Sequence, residues 1–266
     1  MTYLAFLLAT GLYWGLGPGG PLHKDNGVVA LRRRVDAIEP DFWVGFALLV
    51  VVPCALLALI YAFFESLFGG AAMLIIGTAS LFFAFGRADY DSLHGRFMSR
   101  SQAGDYEGAA LLLEEAGAAI DADSADEFGQ RAAKAFAYEG YQRWFAPAFY
   151  FLLLGPFWAV AYRLIQLNAD DRTVPIGSLR HLADWLPSRV LLLTLVVVGE
   201  TRETLAVLAD RAIDPSVDTD TLLLEGIEAD GSNADTQPEQ RVEQVYTLLR
   251  RAALVWLVVA SIVAIV

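Results

Sequence analysis

Apolar residues in this chain gather into six runs separated by polar stretches. The runs cover residues 2–16, 42–64 (FWVGFALLVVVPCALLALIYAFF), 67–86 (LFGGAAMLIIGTASLFFAFG), 144–165 (WFAPAFYFLLLGPFWAVAYRLI), 182–199 (LADWLPSRVLLLTLVVVG) and 250–266. About 20 helical residues at ~1.5 Å rise cross a hydrocarbon core of roughly 30 Å. The pattern therefore predicts an all-α, polytopic helical membrane protein with about five or six membrane helices. The runs at 42–64 and 67–86 meet the length cleanly. The run at 182–199 carries Asp184 and Arg189, and the last run is short unless Leu248 and Leu249 extend it. Residues 2–16 lack the basic start and small-residue cleavage site of a signal peptide. They read either as a short span or as an interfacial helix anchored by Tyr3, Tyr13 and Trp14.

The polar segments carry helical patterns of their own. In 87–143, Phe128, Ala132, Ala135 and Phe136 recur at helical spacing, and Ser124 with Glu127 forms an N-terminal capping signal. Two or three helices are expected there. A helix is expected over 201–212. Residues 214–240 are rich in Asp, Thr and Gly and read as an acidic flexible loop. No internal repeat is visible, which speaks against an inverted-repeat transporter.

Charge sets an orientation. Residues 17–41, 87–143 and 201–251 hold fifteen of the 19 lysines and arginines, with Arg32, Arg33 and Arg34 just before the second run. The positive-inside rule puts these segments in the cytoplasm of a bacterial inner membrane, with 65–70 and 163–189 on the other side. The chain is 56% apolar, above the 45–50% or so of soluble domains. Its net charge of −12 argues against a nucleic-acid partner, which needs a basic patch. One cysteine, Cys54, and three scattered histidines (His23, His94, His181) make no metal-site pattern. There is no phosphate-loop motif and no nucleophile elbow, so no cofactor is implied. Gly17-Pro18-Gly19-Gly20 reads as a turn.

The candidate functional residues are ionisable groups at or near membrane depth. Glu139 and Arg143 are four apart, which suits a solvated helix pair or one wall of a pocket. Pro147 and Pro156 interrupt the run at 144–165, and Gly155-Pro156 is a break point. Arg163, Asp170 or Asp171, Asp184 and Arg189 form a candidate polar cluster able to hold an anion. Asp184 also reads as the cap of a helix that Pro187 starts, and both arginines read equally as snorkelling to headgroups.

The order of these blocks resembles the AmpE family of inner-membrane signalling modulators linked to β-lactamase induction. The likeness rests on the basic LRRRVDAI segment, FAPAFYFLLLGPFWAVAYRL at 145–164 with its G-P-x-x-A-x-x-Y-R pattern, and D-W-L-P-x-R at 184–189. It runs over essentially the whole chain. It implies a non-enzymatic regulatory protein that responds to cell-wall turnover, with the cytosolic amidase AmpD as a partner and 87–143 as the contact surface. A-P-x-F, G-P-x-x-A-x-x-Y and W-x-P-x-R also resemble the more distant CobD/CbiB enzymes, which form an amide in cobalamin synthesis. The chain departs from their acidic motifs. GLGPGGPLHKDNG stands where they carry G-D-P and H-P-V, and AYEGYQRW, with Glu139 alone, where they carry E-N-x-x-D-G. A CobD/CbiB-like enzyme is the alternative reading, with a small-solute or muropeptide transporter behind it.

Overall fold

The structure, a computed structural model, describes residues 1–16, 25–86, 90–169, 177–199, 202–211, 214, 217–229 and 237–265. All regular secondary structure among them is helical. Among the described residues, three helices are long and apolar enough to cross a membrane: Phe42–Phe68, Leu179–Gly199 and Pro238–Ile265. Thr2–Leu16 and Ala71–Ala84 are shorter apolar helices. The turn read at Gly17–Gly20, and Asp170, Asp171 and Arg172, lie outside the described residues. The chain forms two compact units. One comprises residues 1–87, 143–187 and 257–266, the other 88–142 and 188–256.

The long helix Phe42–Phe68 lies in the first unit, with most of its apolar surface exposed. Asp41 caps its start by accepting from the Val44 N–H at 2.9 Å. Residues Ala47–Val51 form a π-helical turn two residues before Pro53. A proline lacks the N–H and its ring crowds the carbonyl four residues back, so one widened turn lets the helix continue. The same device recurs at Tyr141–Phe145, two residues before Pro147. Thr2–Leu16 runs parallel to Ala71–Ala84. Thr78 donates to the Ala5 carbonyl at 3.4 Å, and Tyr13 packs on Phe85 at a ring distance of 5.1 Å.

The run at 144–165 departs from the single span that its length allows. It forms two helices, Ala146–Leu154 and Pro156–Asn168. Gly155 between them has φ 95° and ψ −176°, a conformation essentially restricted to glycine. Its N–H closes the first helix by bonding to the carbonyls of Tyr150 at 3.1 Å and Phe151 at 3.0 Å. Pro156 opens the next helix, where its missing N–H costs nothing. The chain folds back on itself there, since the Tyr150 and Tyr162 rings stack at 5.4 Å. Twelve residues of straight helix would hold those rings about 18 Å apart.

This hairpin brings its end back to the basic segment. Arg163 pairs with Asp25 at 3.1 Å, and Arg32 donates to the Leu167 carbonyl at 3.1 Å. Residues 163–168 therefore lie beside the basic segment that precedes the long helix, not opposite it. Val28, Leu31 and Val35 of the Asn26–Asp36 helix pack with Leu49, Val50, Val160 and Leu164 in one apolar cluster.

The second unit holds three helices from the 87–143 segment: Tyr90–Gln102, Tyr106–Glu115 and Ala125–Gly140. Ser124 caps the last by accepting from the Glu127 N–H at 3.2 Å, as its sequence predicts. Phe128, Ala132 and Phe136 are buried, with Phe97 packed against both phenylalanines. Arg202–Arg211 is helical, as expected. The acidic loop read over 214–240 is corrected in part. Thr219–Glu228 is a helix that buries Leu222, Leu223, Leu224 and Ile227. Asp220 and Glu225 of this helix stay partly exposed. Residues 230–236 lie outside the described residues.

Candidate functional site

The site grows from the returning helix of the hairpin. Tyr162 and Gln166 are four residues apart, so their side chains share one helical face. Asp184 faces them from the Gly177–Gly199 helix and is 2% exposed. The Tyr162 hydroxyl donates to Asp184 Oδ1 at 2.8 Å. Gln166 Nε2 donates to the Tyr162 oxygen at 2.8 Å and to Asp184 Oδ1 at 3.2 Å. The carboxylate thus sits at the end of a short relay, from amide to phenol to Asp184. Charge-assisted bonds of this kind are about twice as strong as neutral ones.

Pro187 explains why Tyr150 joins the group. The helix begins at Gly177 and runs through Pro187, so Asp184 is an interior residue and not the N-cap expected of it. A proline inside a helix removes the hydrogen bond to the carbonyl four residues earlier, here that of Ala183. The Tyr150 hydroxyl supplies the missing donor, reaching the Ala183 oxygen at 2.7 Å. One residue later Asp184 turns toward Tyr162. Both arms of the hairpin therefore hold the same turn of this helix, one through backbone and one through side chain.

The other predicted residues fall as follows. Arg163 belongs to the first unit and pairs with Asp25. Arg143 is buried in the same unit, and its carbonyl accepts from the Gly86 N–H at 3.0 Å. Gly86 lies so close to the Arg143 stem that a Cβ there would overlap it. Glu139 belongs to the second unit and accepts from Gln142 Nε2 at 2.6 Å. Glu139 and Arg143 are both buried, so neither is the solvated partner that their spacing suggests. Arg189 is buried in the second unit, donating to the Ser188 hydroxyl and the Asp214 carbonyl, each at 3.1 Å. Tyr150, Tyr162 and Gln166 were not among the expected residues. The available signal was an unusual amide, Gln166, one turn beyond Tyr162 in an apolar run.

The second unit carries a separate charged cluster. Arg241 donates to Asp126 at 2.8 Å and to Glu228 at 2.9 Å. Burial pushes the Glu228 carboxyl up from its ordinary value, and Arg241 pulls it back in part. His94 stacks on Tyr246 at 3.9 Å with its Nε2 2.9 Å from Glu243. Burial lowers the His94 pKa against the opposing pull of Glu243 and Asp91. An open groove of about 500 Å³ lies beside it, lined by Met98, Gln102, Glu239, Glu243, Thr247 and Arg251 among others. Among the described residues, no three His, Cys, Asp or Glu side chains are placed to hold a metal ion.

The chain matches no family model, no curated protein and no solved structure.

Proposed function

We propose that this chain is a multi-pass inner-membrane signalling protein of the kind the AmpE resemblance implies, modulating β-lactamase induction in connection with anhydromuropeptide recycling. One observation supports this reading above the others. The two blocks that carry the resemblance, G-P-x-x-A-x-x-Y-R and D-W-L-P-x-R, meet through the Tyr162–Asp184 hydrogen bond. Residues far apart in sequence but joined in one buried polar group behave as a unit. The long apolar helices supply the membrane part, with the polar segment 87–143 in the cytoplasm. The helical segment 87–143 offers the face for AmpD.

The function proposed is regulatory, not catalytic. Asp184 is engaged by a phenol and an amide, which suits a group that holds helices in one arrangement. A change in that arrangement would be read by a cytoplasmic partner. The test is β-lactamase induction by a sub-inhibitory β-lactam in a host deleted for the gene, complemented with wild type or Asp184→Ala. Changed induction on deletion, restored by wild type and not by Asp184→Ala, is expected. Induction untouched by the deletion overturns the reading and turns attention to nucleotide and corrinoid binding by a CobD/CbiB-like enzyme, or to solute uptake.

A further inference from the structure

We infer that the Ala146–Asn168 hairpin is a re-entrant membrane element, which enters the bilayer from one face, seats its tip in lipid hydrocarbon and leaves by the same face. Three observations within the first unit lead there.

The first is depth. At the tip, the Phe157 carbonyl accepts from the Cys54 thiol at 3.7 Å, and the Phe157 ring meets Tyr61 at 5.6 Å. Cys54 lies near the middle of Phe42–Phe68, about 18 Å from its start at the helical rise. Tyr61 lies further toward the Phe68 end. A helix of that length spans the hydrocarbon core, so the tip that touches its centre lies at hydrocarbon depth.

The second is the face. Phe42–Phe68 and Ala71–Ala84 are joined by the short turn at Gly69-Gly70, so their far ends, near residues 41 and 86, point to one face. The hairpin starts at Arg143, whose carbonyl is bonded by Gly86. It ends at Leu167, whose carbonyl is bonded by Arg32. Both ends therefore belong to the face of the basic Arg32–Arg34 segment.

The third is the surface. Leu153, Leu154 and Trp158 at the tip are 63%, 48% and 55% exposed. A water-facing patch of this kind would be costly. Hydrocarbon is the matching solvent at the depth already assigned. The backbone is also prepared for it. The Gly155 N–H is bonded and Pro156 has none, so neither position leaves a donor open to lipid.

The inference is independent of the signalling reading, and its test does not use activity. Single cysteines are placed in a Cys54→Ala background at Arg34, Ser66, Leu154 and Ala169, and probed with a membrane-impermeant maleimide in vesicles of each orientation. A re-entrant hairpin predicts that Ala169→Cys labels from the Arg34→Cys face, with no labelling from the Ser66→Cys face. Leu154→Cys is expected to react with neither impermeant probe and to react with a membrane-permeant one. Labelling of Ala169→Cys from the Ser66→Cys face, or from both faces, overturns the inference. So does labelling of Leu154→Cys by the impermeant probe. Disulfide-linked dimers through Leu154→Cys would assign the tip to a second copy of the chain and overturn its seating in lipid.

Discussion

Two buried ionisable side chains, Asp184 in the first unit and Arg241 in the second, are satisfied by different means. In the first, Asp184 sits among apolar helices, with a phenol and an amide as its neutral donors. In the second, Arg241 is buried between two carboxylates, of which Asp126 is 64% exposed and Glu228 24%. A group deep in a low-dielectric region gains most from short, fixed hydrogen bonds, because an unmet bond there is costly. A group at a wet edge uses opposite charge, which water and salt weaken. The contrast teaches how each of these two sites is sensitive to change.

The largest expected effect separates the units most sharply. Asp184→Ala leaves the Tyr162 hydroxyl and the Gln166 amide without their shared acceptor. A loss of about 3 kcal/mol in thermal or denaturant unfolding in detergent is expected. Asp184→Asn keeps the shape and one acceptor, and should lose about half as much. Equal losses from both variants would show that the carboxylate charge, not the hydrogen bond, carries the effect.

Arg241→Ala comes next, at about 2 kcal/mol, below the full cost of orphaning a buried ion pair because its partners are partly solvated. Half-molar salt should shrink this difference and leave the Asp184→Ala difference unchanged. Salt sensitivity of both would erase the distinction between the two sites. Gly155→Ala tests the hairpin turn without a steric complication, since a Cβ there meets nothing within 4 Å. Only the backbone conformation resists it, so about 1–2 kcal/mol is expected. Tyr162→Phe removes a single donor, and a loss of about 1 kcal/mol follows.

The smallest effects are in pH. His94 has its pKa lowered from 6.5 by burial. The folded state then binds fewer protons than the unfolded one just below that value. The contribution is present above pH 6.5 and is lost as pH falls through the folded pKa. Glu228, raised from 4.5, runs the opposite way, and stability declines as pH climbs from that value through the folded pKa. Melting curves of wild type and His94→Gln between pH 5 and 8 should differ in slope. Parallel slopes would remove His94 from the account.

What the chain's own pattern determined is the material of the fold. Long apolar runs, a period of 3.6 in 87–143 and the Ser124 cap each follow from local physics, because a helix satisfies its backbone within itself. Gly155-Pro156 was legible as a break for the same reason. Its consequence was not. A kink and a reversal share one sequence signal, and only packing of Tyr150 on Tyr162 selects the reversal. Asp184 stood out as a residue and Tyr162 only as one position of the G-P-x-x-A-x-x-Y-R pattern, and their pairing spans 22 positions and depends on that fold-back. The Asp184 cap failed because Tyr150 supplies the donor that Pro187 removes, and the acidic loop failed because Thr219–Glu228 has leucines to bury. Local pattern specifies which segments are helices and which side chains are costly. Tertiary structure decides which partners meet that cost, since those partners are distant in sequence and come together only when the helices pack.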